Sequence, residues 1–129
     1  MSDISESNVI SALRRQMTIA VAKQVAAAGN LANIDTPGYK AKEVTFADTL
    51  KGKLAPASTN STFPTTGGTA AGSGIEIKEA ASPERRDGNT VQLDKELLSM
   101  GRASGDFAAA QTALAAKFRL VRYAINESK

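Results

Sequence analysis

The residue types that carry out most enzyme chemistry are scarce in this chain of 129 residues. It contains no histidine and no cysteine, so it lacks the commonest general base, the commonest protein metal ligand and any thiolate. Carboxylate pairs such as Asp94 and Glu96 remain, but residues two apart on a helix point to different faces. The sequence therefore predicts no catalytic site, no metal site, no cofactor and no small-molecule substrate.

Composition limits the partners as well. The net charge is only +3 and aromatic residues make up 5% of the chain, whereas a nucleic-acid-binding protein should show a basic stripe with stacking aromatics. Apolar residues reach 42%, but much of that content is alanine. Such a chain buries little apolar surface per residue, so we expect its stability to depend on association with other proteins.

Side chains that can bond to the backbone concentrate between Asn30 and Lys40. The amides of Asn30 and Asn33 can pair with backbone groups where a helix ends. Pro37-Gly38 forms a turn pair, because proline presets φ and glycine permits a positive φ. Thr36 and Tyr39 complete this stretch: Thr36 before proline favours an extended backbone, and Tyr39 offers a rigid ring with a polar tip. Taken alone, the stretch is interpreted as a helix end followed by a turn.

Two long helices must position this stretch. Apolar spacing and a capping box at Asp3 and Glu6 predict a first helix over about 4–31. Its heptad positions are Ile10, Leu13, Met17, Ala20, Gln24, Ala27, Leu31 and Ile34. A second helix is predicted from residue 93, with heptad positions Leu93, Leu97, Met100, Ser104, Phe107, Gln111, Leu114, Phe118, Val121 and Ile125. Polar members of these rows are expected to set register, or else to face solvent.

The predicted fold is mainly α, with the two helices paired as an antiparallel coiled coil around a loop-rich, partly extended middle segment. The boundaries are 1–34 for the first helix, 35–92 for the middle and 93–129 for the second helix. Gly101 and Gly105 each weaken helix propensity, which predicts close backbone approach to another helix as compensation.

The middle segment divides further. Alternation of Val44 and Phe46 with polar residues predicts a short strand, although the spacing of Phe46 and Leu50 also fits a helical turn. Ile75 and Ile77 alternate in the same way and predict a second strand. Residues 55–74 carry no charge, and this polar composition predicts a flexible linker.

Two motifs make the chain resemble a known family. Residues 29–40, which read GNLANIDTPGYK, are similar to the N-terminal signature of bacterial flagellar rod and hook proteins, and residues 41–46 and 87–96 narrow the resemblance to a proximal-rod component. The resemblance implies a self-assembling structural subunit of a helical hetero-oligomer that transmits motor torque. It implies as partners other rod proteins, the membrane ring with its adaptor, and the type III export apparatus.

The resemblance also implies location and residue roles. Rod proteins are exported without a cleaved signal peptide and lie in the periplasmic part of the basal body. Asn30, Asn33, Thr36, Pro37, Gly38 and Tyr39 would form the assembly signature. Phe46 and Leu50 would be the export candidate. Helix packing would rest on Leu13, Met17, Leu31, Leu97, Met100, Phe107, Leu114, Phe118, Val121 and Ile125.

Three alternatives stay open at this point. The chain could be another axial subunit of the rod or hook, although a hook subunit would carry a large inserted middle domain. It could be a peptidoglycan-remodelling enzyme associated with the rod, although no acid lies in a stretch that resembles a pocket. A membrane-surface helix should carry lysines and bulky aromatics on opposed faces, a pattern that the first helix lacks.

Overall fold

The computed structural model describes residues 6–46 and 75–127, which form four elements. Helix α1 spans Glu6–Ala32 and helix α2 spans Leu93–Glu127. Between them in sequence lie strands β1, Lys42–Phe46, and β2, Ile75–Glu79. Both predicted helices and both predicted extended pieces are therefore confirmed, and for Val44 and Phe46 the strand interpretation is the correct one.

The two helices pack against each other and run in opposite directions. The last residues of α1 and the segment just before α2 are joined by hydrogen bonds, such as Asn89 Nδ2 to Asn33 O at 2.9 Å. Because both helices extend away from this shared end while in contact, they are antiparallel. The predicted fold class, mainly α with paired helices and a small extended part, is confirmed.

Alanines form the core of the helix pair. Ala20 and Ala27 on α1 are 2% exposed, and Ala103 and Ala110 on α2 are 1% and 4% exposed. On each helix the two alanines are seven residues apart, which keeps them on one face of a coiled coil. Side chains this small allow the helix axes to approach closely, toward the lower end of the usual spacing of about 8–10 Å.

The face that α2 turns toward α1 differs from the predicted one by one heptad row. The row Glu96, Ala103 and Ala110 is buried, and Met100, Phe107, Leu114 and Val121 beside it are half-buried. The other predicted row is exposed: Leu97, Ser104, Gln111, Phe118 and Ile125. The prediction of that row as part of the contact with α1 was wrong, because it weighted bulky apolar residues above the alanines that permit close packing.

One smaller expectation for α2 also needs correction. A Cβ added to Gly101 or Gly105 would meet nothing within 4 Å, so these glycines make no close contact with another described helix. Ser104 and Gln111 are exposed, which agrees with the solvent-facing alternative for the polar members of this row. On α1, by contrast, every predicted heptad position is buried or half-buried.

The strands form a two-stranded antiparallel ribbon that packs on α1. The pairing sets Val44 opposite Ile77, and Val44 is buried. Opposite charges face each other across the ribbon at Glu43 and Lys78, an arrangement that favours this register. The Arg15 guanidinium lies 5.3 Å from the centroid of the Phe46 ring, which links the end of β1 to α1.

Several predictions fall outside the described residues. These are the capping role of Asp3, the helical turn beyond Phe46, the position of Leu50 and the linker over 55–74. Among the helices that are described, none is both long and apolar enough to cross a membrane.

Candidate assembly site

The signature stretch and the segment before α2 fold together into one structure, here called the corner, consisting of residues 29–42 and 84–91. These two segments lie far apart in sequence, and between them the chain passes through both strands. They correspond to the two motifs that carry the family resemblance. The structure therefore brings the separate motifs into direct contact.

Asn89 is the central side chain of the corner and is fully buried. Its Nδ2 lies within hydrogen-bond distance of three carbonyl oxygens, those of Asn33 at 2.9 Å, Ile34 at 3.1 Å and Thr36 at 2.8 Å. Its Oδ1 accepts a hydrogen bond from Val91 N at 2.7 Å. One amide thus donates to the turn that follows α1 and accepts from the segment that leads to α2, so it ties the two segments of the corner together.

Asn30 joins α1 to β1 in a similar way. It is 1% exposed, and its Nδ2 donates to Lys42 O at 2.8 Å while its Oδ1 accepts from Lys42 N at 2.8 Å. The side-chain amide therefore pairs with the backbone of Lys42 as a neighbouring strand would. Only asparagine or glutamine offers both a donor and an acceptor in this arrangement.

Asn33 caps the C-terminal end of α1. Its Nδ2 donates to Gly29 O at 2.8 Å, four residues earlier, where the helix ends and carbonyls lose their partners. Its Oδ1 accepts from Thr36 Oγ1 at 3.2 Å. The two residues consequently hold the first turn after the helix, and Thr36 remains exposed.

Two tight turns pack against each other at the tip of the corner. Gly38 has a φ of 73°, and Tyr39 N donates to Thr36 O at 3.3 Å, which with Pro37 at the second position describes a type II turn. Gly88 has a φ of 80°. Gly38 N donates to Asp87 O at 2.8 Å, and a Cβ on Gly88 would lie 3.4 Å from Gly38 Cα. Both glycines are required by backbone geometry.

Backbone pairing continues from the turns toward β1. Thr90 N donates to Tyr39 O at 3.0 Å, and Ala41 N donates to Thr90 Oγ1 at 2.8 Å. Thr90 is 5% exposed and Ala41 is 1% exposed. The chain entering β1 is thereby tied to the chain entering α2, so both elements leave the corner in fixed directions.

Charged side chains surround the corner. Lys40 pairs with Glu84 and also donates to Gly88 O at 3.1 Å, and the Arg85 guanidinium donates to Ile34 O. A solvent-open depression of about 490 Å³ is lined by Asp35, Arg85, Arg86 and Asp87. This surface offers charge for recognition by another protein, but it holds neither a nucleophile nor a general base in an enclosed pocket.

The predicted signature residues all belong to the corner, but they differ in exposure. Asn30 is buried, Asn33 and Tyr39 are half-buried, and Thr36, Pro37 and Gly38 are exposed at the tip. The helix-packing residues divide in the same manner. Half-buried are Leu13, Met17, Leu31, Met100, Phe107, Leu114 and Val121, whereas Leu97, Phe118 and Ile125 are exposed. Phe46 is half-buried in β1.

Sequence reasoning missed three buried polar residues: Asn89, Thr90 and Glu96. Asn89 and Thr90 lie in a motif that was recognised only as a turn and a resemblance. The available signal was an asparagine directly after Asp87-Gly88, a type of residue that bonds to nearby backbone. Glu96 belongs to the same heptad row as Ala103 and Ala110. This row was not predicted to be buried, because its first member is charged and the other two are small.

Comparison with known proteins identifies a relative that matches this chain over nearly its whole length. No protein-family model matches the chain. The chain is 27% identical over 126 residues to the flagellar basal body rod protein FlgB of Bacillus subtilis (strain 168), a match that covers 95% of this chain and 97% of that protein. The similarity therefore includes both helices and both segments of the corner. It confirms the resemblance predicted from the motifs and supports a FlgB-like protein with a structural rather than an enzymatic role.

Proposed function

We propose that this chain is a structural subunit of the proximal rod of a bacterial flagellum. In this role it assembles with other rod proteins into the helical shaft that crosses the periplasm and transmits motor torque. The observation that carries the proposal is the full-length similarity to FlgB, in a chain whose two family motifs meet in one corner.

The described structure has properties that suit a packed assembly. Seven of its large apolar side chains on α2 are about half exposed or more: Leu93, Leu97, Leu98, Phe118, Leu120, Tyr123 and Ile125. Large apolar side chains exposed in this number along one helix are consistent with contacts to neighbouring subunits on more than one side. A helical assembly of identical or related subunits would bury it through repeated heterologous contacts.

The corner supplies the second contact in this proposal. Its buried amides fix the directions of α1, β1 and α2, and its exposed tip of Thr36, Pro37 and Gly38 then projects as a rigid shape. We assign this tip to contacts with neighbouring rod subunits. The implied partners are other rod proteins and the membrane ring with its adaptor. The chain would come to them through the type III export apparatus, without a cleaved signal peptide.

Export recognition is assigned to Phe46 and Leu50. In the folded chain Phe46 is paired with Ile75 and covered on one side by Arg15. Phe46→Ala should lower secretion by the export apparatus while leaving synthesis unchanged. Secretion equal to that of the unaltered protein would assign Phe46 to packing alone.

Deletion of the encoding gene tests the proposal as a whole. Electron microscopy of purified basal bodies should show the membrane ring without rod or hook, and cells should be non-motile. Leu114→Asp places a charge in the half-buried row of α2 and should also abolish motility, whereas Ala109→Asp on the exposed side of the same helix should not. Intact rotating flagella in the deletion strain would refute the proposal.

A further inference from the structure

Asp87 and Gly88 form the one Asp-Gly pair of the chain, and no asparagine in the sequence precedes a glycine. An aspartate before glycine is chemically labile, because glycine has no Cβ to keep its backbone nitrogen away from the preceding carboxyl carbon. Asp87 lies at the tip of the corner and is exposed to water. The pair is therefore a candidate site of spontaneous chemical modification.

The reaction of such a pair begins when the backbone nitrogen of Gly88 attacks Cγ of Asp87. A nitrogen–carbon bond forms, and the carboxyl oxygen leaves as water together with the amide proton, which closes a five-membered succinimide ring. A second water molecule then opens the ring at either of its two carbonyls. Opening at the former main-chain carbonyl leaves isoaspartate, in which the main chain runs through Cβ and Cγ. The overall change is an isomerisation that needs no other reactant.

The folded corner holds the peptide unit between Asp87 and Gly88 at both of its polar atoms. The carbonyl oxygen of this unit accepts from Gly38 N at 2.8 Å, and its N–H donates to Arg85 O at 2.9 Å. The second bond closes a type I turn, since no residue before Gly88 in this turn has a positive φ. The third residue of such a turn has a ψ of about 0°, which turns the Gly88 nitrogen away from the Asp87 side chain.

Ring closure therefore requires a large rotation about the Cα–C bond of Asp87. This rotation swings the whole peptide unit and breaks both of its hydrogen bonds, and the bond to Gly38 N is one that joins the two segments of the corner. The carboxylate is held as well, because its Oδ1 accepts from Asn89 N at 3.1 Å. Succinimide formation has to follow a local opening of the corner.

We propose that Asp87-Gly88 is an isoaspartate-forming modification site whose reaction rate is set by opening of the corner. A chain with a closed corner keeps its aspartate. A chain whose corner stays open acquires isoaspartate at position 87 with time. The covalent state of this residue thus records how long the two segments of the corner have been apart.

The modification also acts back on the corner. Isoaspartate lengthens the main chain by one methylene and displaces the carbonyl that bonds to Gly38 N. The two turns already pack closely, since a Cβ added to Gly88 would lie 3.4 Å from Gly38 Cα. A lengthened main chain has to displace one of the turns, so a modified chain should not close its corner again.

This chemistry lies outside the proposed rod function, because it concerns the covalent state of the chain rather than its assembly. Every residue that carries it belongs to the corner. Its tests use purified full-length protein and need no flagellum. Their failure would leave the flagellar proposal to the gene-deletion experiment.

Peptide mapping measures the modification directly. Trypsin releases residues 87–95 as one fragment, and chromatography with mass spectrometry separates its aspartate and isoaspartate forms. At neutral pH we expect isoaspartate to form at least about tenfold more slowly in the folded chain than in the same chain in guanidinium chloride. In the denatured chain it should appear at Asp87 before any other aspartate. Equal rates in the two states, or another aspartate reacting first in the denatured chain, would overturn the proposal.

Two matched glycine substitutions separate opening of the corner from the intrinsic reactivity of the pair. Gly38→Ala places a side chain at a φ of 73° and leaves Asp87 and Gly88 unchanged, so it should speed isomerisation about fivefold or more. Gly101→Ala lies in α2 with open space around it and should not speed the reaction. Equal rates in the two variants would contradict control by the corner.

Hydrogen exchange supplies an independent measurement. The Gly88 amide bonds to Arg85 O and should exchange only when that bond opens. Its exchange and the isomerisation of Asp87 should accelerate by the same factor in Gly38→Ala. If this variant does not fold, guanidinium chloride below the unfolding midpoint of the unaltered chain opens the corner instead. Faster exchange with unchanged isomerisation would overturn the proposal.

Chains that carry isoaspartate provide the last test. The unaltered protein is isomerised in guanidinium chloride, refolded and compared with protein that was refolded at once. The isomerised chain should lose protection of the Gly88 amide by at least about tenfold. Equal protection in the two samples would show that the modification does not keep the corner open.

Discussion

The corner and the helix pair are stabilised by different kinds of interaction. In the corner, buried amides of Asn30 and Asn89 bond to named backbone groups over distances of 2.7–3.1 Å. In the helix pair, the buried residues are mostly alanines repeated every seven positions. Hydrogen bonds of the first kind depend on one residue type at one position, whereas packing of the second kind depends on volume and period.

This difference has a consequence for tolerance to substitution. A single change at Asn30 or Asn89 removes several hydrogen bonds of one buried amide at once, and each buried polar group that is left poorly paired costs about 1–3 kcal/mol. A single change along the helix pair alters one contact among many equivalent ones. The stability of the corner should therefore fall when a side chain changes its hydrogen-bonding groups at constant size. The stability of the helix pair should instead fall when an apolar side chain changes in size.

Asn89→Asp should have the largest effect, because it keeps the shape of the side chain and removes its N–H donors. The new carboxylate would face the carbonyls of Asn33, Ile34 and Thr36. We expect the free energy of unfolding to fall by about 3 kcal/mol or more. Denaturant unfolding followed by circular dichroism measures this change.

Asn8→Asp is the matched control for that substitution. Asn8 is exposed near the start of α1, where an acid is tolerated by the helix dipole. Its effect should stay within about 0.5 kcal/mol. Equal effects of the two variants would show that the Asn89 amide does not determine the stability of the corner.

Ala103→Leu tests the helix pair with a change of volume. Ala103 is 1% exposed against α1, and the larger side chain should cost about 1–3 kcal/mol through overpacking. Ala109→Leu makes the same change at an exposed site of α2 and should be nearly neutral. Thermal unfolding of both variants gives the comparison, and a neutral Ala103→Leu would mean that the helices are not closely packed there.

The sequence predicted the helix pair better than the corner. Period and apolar content located both helices, because those signals depend on many residues at once. The face of α2 was predicted one row away from the observed one, since alanine packing is not visible as hydrophobic bulk. In the corner, the turn at Pro37-Gly38 was predictable from local geometry, but the bonds of Asn89 to residues near Thr36 were not. Those bonds join segments more than fifty residues apart, and no local pattern encodes that contact.

Glycines sharpen the comparison because the same substitution should act in opposite directions in the two regions. Gly88→Ala forces a residue with a side chain into a φ of 80° beside Gly38 and should destabilise the chain by about 1–2 kcal/mol. Gly101→Ala lies within α2 with open space around it and should stabilise the chain by about 0.5–1 kcal/mol. Chemical denaturation of both variants measures the sign of the change in the free energy of unfolding. Changes of the same sign would show that the corner and the helix pair do not differ in their need for glycine.

The smallest change in stability is expected from Glu84→Gln. This substitution measures what an exposed polar contact of the corner contributes, for comparison with the buried amides. Glu84 pairs with Lys40, but the two side chains are 60% and 36% exposed, respectively. An ion pair in this environment contributes about 0–1 kcal/mol, and salt screens it further. Unfolding measured at low and at high ionic strength should show a small loss of stability that disappears with salt. A loss as large as that of Asn89→Asp would mean that the charged rim, rather than the buried amides, determines the stability of the corner.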